Sequence, residues 1–244
     1  ERCTGCGACT NACTHGALEN RLSCTGCGAC ADVCLSGARE RVGEPMSVPA
    51  LCALLARDLP FYEESGGGVT LSGGEAAAQD MNYLEALCRH LVRAGIRVNL
   101  DTCGYVEPQR LLTLLPYTDV FLFDVKLIDS ARHREWTGVG NERILENLIL
   151  LTSRGAKIDV RIPVIVGANA DEENIRQTAA FLRREVPGIR RVYLLPYHAA
   201  GSGKYAQLGR RYEGEAFFRP DNAALEAMRV VFAEEGISGV RIGA

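Results

Sequence analysis

The sequence predicts an α/β protein in two parts: a cysteine-rich module over residues 1–44 and a parallel βα-repeat domain over residues 45–244. Three observations carry this. Eight of the eleven cysteines lie between Cys3 and Cys34, in two runs of the form C-x2-C-x2-C-x3-C. From residue 45 onward, short β-type runs alternate with segments of helical apolar spacing. Polar or glycine-rich residues recur in or just after those β-type runs.

Bulk properties narrow the class. The chain has 244 residues, 47% of them hydrophobic, enough for one substantial core and a small appended module. A net charge of -3 lacks the basic excess that nucleic-acid binders usually carry. No apolar run reaches the length of a membrane span, and no secretory leader pattern is visible. The cysteines are concentrated rather than spread, which points to a reducing compartment and a cytoplasmic location.

The first cysteine run is Cys3, Cys6, Cys9 and Cys13; the second is Cys24, Cys27, Cys30 and Cys34. Both contain CTGCGAC. In two-cluster ferredoxin-like modules, three closely spaced thiolates hold one iron–sulfur cube and the fourth crosses to the other. The expected ligand sets are therefore Cys3, Cys6, Cys9 and Cys34 for cluster one, and Cys24, Cys27, Cys30 and Cys13 for cluster two. Zinc and disulfides are the alternatives. Four-cysteine zinc sites usually pair two separated C-x2-C units, whereas here a third cysteine follows at the same interval. The residue after each fourth cysteine, often proline, is Thr14 or Leu35. Large apolar residues are few here, so two 4Fe-4S clusters are expected to supply most of the folding energy.

The remainder reads as follows. Ser47 and Pro49 open a helix before Leu51, Leu54, Leu55 and Leu59. Strands are expected at Gly68–Ser72, Arg97–Asp101, Val120–Leu127, Ile158–Val166 and Arg191–Leu195, with a last short one at Val240–Ile242. Helices are expected at Asp80–Arg93, Pro108–Leu115, Asn141–Ser153, Glu172–Glu185 and Asn222–Glu235. Such repeats give right-handed crossovers and a parallel sheet, as a barrel or an open sheet. In both, ligands bind at the C-terminal ends of the strands.

The polar residues cluster at those ends: Ser72-Gly73-Gly74-Glu75, Asp101-Thr102-Cys103-Gly104, Asp124-Val125-Lys126, Arg161-Ile162-Pro163 and Pro196-Tyr197-His198. Asp124 and Lys126 share side-chain parity within an otherwise apolar run, so they need a partner or a ligand. The plainer alternatives are a glycine turn at Gly73-Gly74, a structural ion pair at Asp124, and a loop histidine at His198. Cys52 and Cys88 lie on apolar helix faces and read as core residues. Cys103 falls in the candidate site without a ligand-spaced companion.

Several segments together carry a family resemblance: GGGVTLSGGEA (Gly66–Ala76), DTCGY (Asp101–Tyr105), LFDVKLIDSARHREWTG (Leu122–Gly138), NERILENL (Asn141–Leu148), RIPVIVGANADEENI (Arg161–Ile175) and LLPYHAAGSGKYAQLGRRY (Leu194–Tyr212). They resemble the glycyl-radical enzyme activases, radical S-adenosylmethionine (SAM) proteins related to the pyruvate formate-lyase activating enzyme. Many members carry a two-cluster ferredoxin-like insert similar to residues 1–37.

The resemblance implies a partial (β/α)6 radical-SAM-type barrel lacking its first strand, behind a small ferredoxin-like module with two 4Fe-4S clusters. It implies reductive cleavage of SAM to a 5'-deoxyadenosyl radical that takes a hydrogen from a glycine Cα of a partner glycyl-radical enzyme. Gly73, Gly74 and Glu75 would hold the methionyl amino end. Asp124, Lys126 and His198 would lie near the carboxylate and sulfonium. Asp101 and Thr102, with Asp124, resemble a monovalent cation site, and Arg161 would line the pocket. The accessory clusters would relay electrons from a flavodoxin or ferredoxin, and a monomer is expected. The family holds its SAM-binding cluster with C-x3-C-x2-C, and no such run occurs here. The expectation is that the first strand and its cluster loop lie upstream of Glu1, that the full-length protein holds a third 4Fe-4S cluster, and that the 244 residues alone do not generate the radical. Two other readings stand beside this one: a ferredoxin-like electron carrier fused to a barrel remnant, and a radical SAM enzyme acting on a small molecule or peptide. Gly73-Gly74-Glu75 and Asp124/Lys126 argue against the carrier. The His133 and Lys204-Tyr205 segments favour a protein partner.

Overall fold

In the computed structural model, six parallel strands form one sheet in the order β1-β2-β3-β4-β5-β6. The structure describes residues 2–207, 211, 212 and 214–243, with all their side chains except those of Lys204, Ala206, Gln207 and Glu215. These residues form two compact units, Glu1–Ser47 and Val48–Ala244.

In the second unit, α3 (Val48–Leu55) and α4 (Leu59–Ser65) precede β1 (Gly68–Leu71); helices α1 and α2 belong to the first unit. Then follow α5 (Met81–Arg93), β2 (Arg97–Thr102), α6 (Pro108–Leu114), β3 (Val120–Asp124), α7 (Ser130–Thr137) and α8 (Glu142–Ser153). The chain continues through β4 (Ile158–Val164), α9 (Glu172–Glu185), β5 (Arg191–Pro196), α10 (Ser202–Gln207), α11 (Asn222–Glu234) and β6 (Val240–Ile242). Each strand pairs with its sequence neighbour and a helical crossover joins each pair, which is the winding of a parallel βα-repeat domain. The expected α/β fold is therefore present.

The apolar stripes explain the packing. Leu84, Leu87, Cys88 and Leu91 of α5, with Ile144, Leu148 and Leu151 of α8, are buried against the sheet. Strands β3 and β4 contribute Phe121, Phe123, Val160 and Ile162 to the same core. Four helices begin on an aspartate that accepts from the third residue onward: Asp80 from Tyr83 N at 2.8 Å, Asp129 from Arg132 N at 2.7 Å, Asp171 from Asn174 N at 3.0 Å and Asp221 from Ala224 N at 2.7 Å.

Three strands end earlier than expected: β1 stops at Leu71 rather than Ser72, and the other two fall short by more. β3 stops at Asp124 rather than Leu127, and β4 at Val164 rather than Val166. Asparagine side chains take over the main-chain groups there. Asn169 donates to Lys126 O at 2.8 Å, and Asn141 donates to Leu127 O at 2.8 Å and Ile128 O at 2.6 Å. Asn169 also accepts from Ile165 N at 2.8 Å. Helix α7 was not expected. Its sequence SARHREWT has no apolar stripe, and it is defined instead by the Asp129 cap and by Gly138 at φ 83.

The first unit is different in kind. Helices α1 (Ala8–Ala12) and α2 (Ala29–Asp32) each start on a left-handed glycine, Gly7 and Gly28. Ala17 is its one buried apolar side chain among the described residues, while Leu22, Leu35 and Val42 are almost wholly exposed. Such a segment has no apolar core from which to draw stability.

Candidate functional site

Near the C-terminal ends of β2 and β3 and at the middle of β4, three charged side chains meet. Asp124 and Arg161 are register partners across β3 and β4. Arg161 donates to Asp124 Oδ1 through Nε at 2.9 Å and through Nη2 at 2.7 Å. It also donates to both Asp101 oxygens, through Nη1 at 3.2 Å and through Nη2. Ser72 Oγ donates to Asp101 Oδ2 at 2.8 Å, and Lys126 Nζ lies 3.4 Å from Asp124 Oδ2. Burial opposes the charge on Arg161, but Asp124 and then Asp101 outweigh it and hold the guanidinium above its ordinary pKa. Two carboxylates and two cations thus balance in one cluster whose Arg161 side chain is only 18% exposed.

Glu75 ties the loop after β1 to the end of β2. It accepts from Thr102 Oγ1 at 2.7 Å, from Cys103 N at 2.8 Å and from Ala77 N at 3.1 Å. Gly73 and Gly74 precede it at φ 98 and 58, and a Cβ built on either would meet open space. The backbone there is free to face a ligand. Gly104 has a different reason to be glycine: with φ +72, a Cβ would stand 2.2 Å from the Phe123 ring.

The structure thus brings together Glu75, Asp101, Thr102, Asp124, Lys126 and Arg161 of the expected residues. His198 follows β5 and is exposed, with no described contact to that cluster. His133 is buried, its Nδ1 2.7 Å from Val139 O, and it serves the α7 turn. The Lys204 side chain lies outside the described residues. Burial, and then Glu75, push the Cys103 thiol pKa up, and burial pushes that of Cys88 to about 11.

Sequence reasoning missed the residues that hold these loops. Asn147 of α8 donates to Gly104 O and Val106 O, both at 2.8 Å. Arg110 of α6 donates to Ala77 O at 2.6 Å and to Gln79 O. The available signal was an asparagine between Ile144 and Leu148 on a helix face otherwise made for burial.

In the first unit, Cys3, Cys6, Cys9 and Cys34 surround one cavity of about 260 Å³. These are the four thiols expected on cluster one. Main-chain N–H groups of His15 and Ala17 hold the Cys13 thiol below its ordinary pKa. The Ser36 hydroxyl, and then N–H groups of Arg39 and Ala38, do the same for Cys34. Gly5, Gly7, Gly26 and Gly28 all have positive φ, as the tight turns between cysteines require. Among the described residues no three Cys, His, Asp or Glu side chains are placed to hold a metal ion. A cube is larger than an ion, and an open ring of four thiols, with donors that favour the Cys34 thiolate, suits it.

Comparison with known proteins decides the family. The chain is 45% identical over 240 residues to the trans-4-hydroxy-L-proline dehydratase activating enzyme of Clostridioides difficile, covering 95% of this chain and 80% of that protein. The chain belongs to the radical-SAM activating enzymes of glycyl-radical enzymes. The chain is also 42% identical over 190 residues to the choline trimethylamine-lyase activating enzyme of Oleidesulfovibrio alaskensis, covering 76% of this chain and 60% of that one. It spans less than two thirds of that second relative's length. A domain of the pyruvate-formate lyase-activating enzyme from Bacteroides vulgatus superimposes with a TM-score of 0.62 at 27% identity, covering 73% of this chain and 100% of that one. Residues 1–19 and 21–37 of the activase each match a family described as a 4Fe-4S binding domain.

Proposed function

We propose that the activase binds SAM at the C-terminal ends of β1 to β4 and serves to install a radical on a glycine Cα of a partner enzyme. The observation that carries this is the charge cluster of Asp101, Asp124, Arg161 and Lys126 beside the open Gly73-Gly74 backbone. SAM carries an amine, a carboxylate and a sulfonium. Main-chain groups of Gly73 and Gly74 would hold the amine, with the Glu75 charge behind them. Lys126 would meet the carboxylate, and Asp124 would oppose the sulfonium. His198 would close the site from the loop after β5. The cation expected beside Asp101, Thr102 and Asp124 would share the two carboxylates with Arg161, which lies between them.

When bound beside a reduced four-iron centre, SAM supplies a 5'-deoxyadenosyl radical. The residues of this chain orient it, screen its charges and keep water from it. Cys3, Cys6, Cys9 and Cys34 would hold one cluster and Cys24, Cys27, Cys30 and Cys13 the other, and the two would supply a one-electron relay from a flavodoxin or ferredoxin. The carrier reading leaves the cluster of Asp101, Asp124 and Arg161 without a purpose.

Two measurements test this. Calorimetry of the gene product reconstituted at its encoded length should show SAM binding that is lost in Asp124→Asn and in Lys126→Ala; no binding to that protein defeats the site assignment. At its encoded length, the gene product with SAM, a low-potential reductant and a glycyl-radical enzyme should give a glycine-centred doublet by electron paramagnetic resonance. A preparation that cleaves SAM yet leaves every such partner silent would favour a small-molecule or peptide substrate.

A further inference from the structure

The two clusters expected in the first unit are held by equivalent runs, but their surroundings are not equivalent. The cavity bounded by Cys3, Cys6, Cys9 and Cys34 also has Arg21 and Arg39 in its wall. Neither guanidinium has an ion-pair or hydrogen-bond partner among the described residues, although carboxylates pair with other arginines of the chain, as Glu40 does with Arg2 at 2.9 Å. Arg39 is half-buried and Arg21 exposed. On the side of the second set, Arg41 donates to the Cys27 main-chain carbonyl and lies against Gly28. Its charge is thus engaged by a peptide dipole. Main-chain N–H donors reach a thiol of each set, Cys13 in one and Cys34 in the other, so they do not distinguish the two.

We propose that Arg21 and Arg39 make the cluster of Cys3, Cys6, Cys9 and Cys34 the higher-potential centre, so that the first electron to enter the module rests there. The inference depends on the two-cluster reading of residues 1–37 and on nothing in the SAM site. The physics is a charge balance. Each cluster accepts one electron, the external one-electron reductant loses one, and the unit of cube and four thiolates becomes one charge more negative. Two unpaired cations at the wall favour that more negative form. The second cluster, lower in potential, then passes its electron onward more readily.

The test is a potentiometric titration of the reconstituted 244-residue protein, with dithionite as reductant and reduced clusters counted by electron paramagnetic resonance. Two separate midpoints are expected. The double substitution Arg21→Gln/Arg39→Gln should lower the higher midpoint and leave the lower one in place, with bound iron unchanged. Arg21→Lys/Arg39→Lys, which keeps the charge, should preserve it, whereas a packing role for the arginine stems would not follow charge. Arg41→Gln should spare the higher midpoint. Equal midpoints in the parent, or a double Gln variant that moves neither or only the lower one, overturns the proposal. Should the Gln variant lose its clusters, the parent protein alone decides through salt. At about 1 M salt, where screening reaches down to about 3 Å, the higher midpoint should fall. A midpoint that stays or rises, as for an anionic centre without cations nearby, overturns it. Iron well below about eight per chain would instead overturn the two-cluster reading itself.

Discussion

Arg161 holds Asp124 through two nitrogens, Nε at 2.9 Å and Nη2 at 2.7 Å from the same oxygen, and reaches Asp101 with the rest of its fork. The two side chains meet because Asp124, the last residue of β3, is in register with Arg161 at the middle of β4. A guanidinium can serve two carboxylates at once because its donors are fixed in a plane; an ammonium cannot match that geometry. Arg161→Gln should leave two half-buried carboxylates facing each other. Because the side chains keep about a fifth of their exposure, the cost is expected near 2 kcal/mol, below that of a fully buried broken pair. Arg161→Lys should lie between. Urea unfolding of the reconstituted chain measures both, and an unchanged midpoint in Arg161→Gln would show that the cluster contributes nothing to stability.

Asn147 is expected to matter as much for a different reason. Its amide donates to Gly104 O and Val106 O, which fixes the loop that follows Asp101 and Thr102 of β2 and carries Cys103. Asn147→Leu keeps the volume and removes both donors, leaving two carbonyls without them. The expected loss is about 2 kcal/mol, with faster amide exchange confined to residues 103–107. Exchange that accelerates evenly over the whole sheet would mean that Asn147 supports only general packing.

These two positions show what was legible in the sequence. Strand ends were readable because β-type runs stop at polar residues, so Glu75, Asp101, Asp124, Lys126 and Arg161 stood out. Their mutual distances depend on register between strands remote in the chain, which no local pattern encodes. Asn147 was hidden because it occupies a core-facing helix position, where a polar residue breaks the periodic signal without naming its partners. Helix α7 was hidden because its limits rest on Asp129 and Gly138 rather than on an apolar stripe. The cysteine runs were legible as 4Fe-4S binding segments from their spacing, and of the two expected ligand sets Cys3, Cys6, Cys9 and Cys34 line one cavity.

The crossed arrangement of thiols makes a sharp prediction. Cys3, Cys6, Cys9 and Cys34 share one cavity although Cys34 belongs to the second run. Cys34→Ala should therefore perturb the cluster of the first run and spare that of the second. Iron should fall from about eight toward about four per chain, and the surviving electron paramagnetic resonance signal should match that of a Cys3→Ala variant. A signal matching Cys24→Ala instead would mean that each run serves its own cluster.

The cap at Asp171 gives a pH-dependent prediction. Arg132 holds the Asp171 carboxyl below its ordinary pKa, burial works against this, and the Asn174 N–H assists. The contacts are Arg132 Nη2 to Asp171 Oδ2 at 2.6 Å and Asn174 N to Asp171 Oδ1 at 3.0 Å. The folded state therefore binds the proton more weakly than the unfolded state. The stabilisation is fully present above the unfolded pKa of about 3.9 and is lost as pH falls through the lower folded value. The Asp171 side chain is 42% exposed, so solvent limits the ion pair to under about 1 kcal/mol. Asp171→Asn keeps a capping oxygen and loses the charge; Asp171→Ala loses both. At pH 7 the Asn variant should cost under about 1 kcal/mol, and the Ala variant about 1 kcal/mol more for the cap. Trp136, the one tryptophan of the chain, lies in α7 beside Arg132 and reports the melting by fluorescence. At a pH below the lowered folded value the Asn variant and the parent should melt together, while the Ala variant stays lower. An Asn-to-parent gap that persists or widens in acid would show that the Asp171 charge is not what stabilises this end of α9.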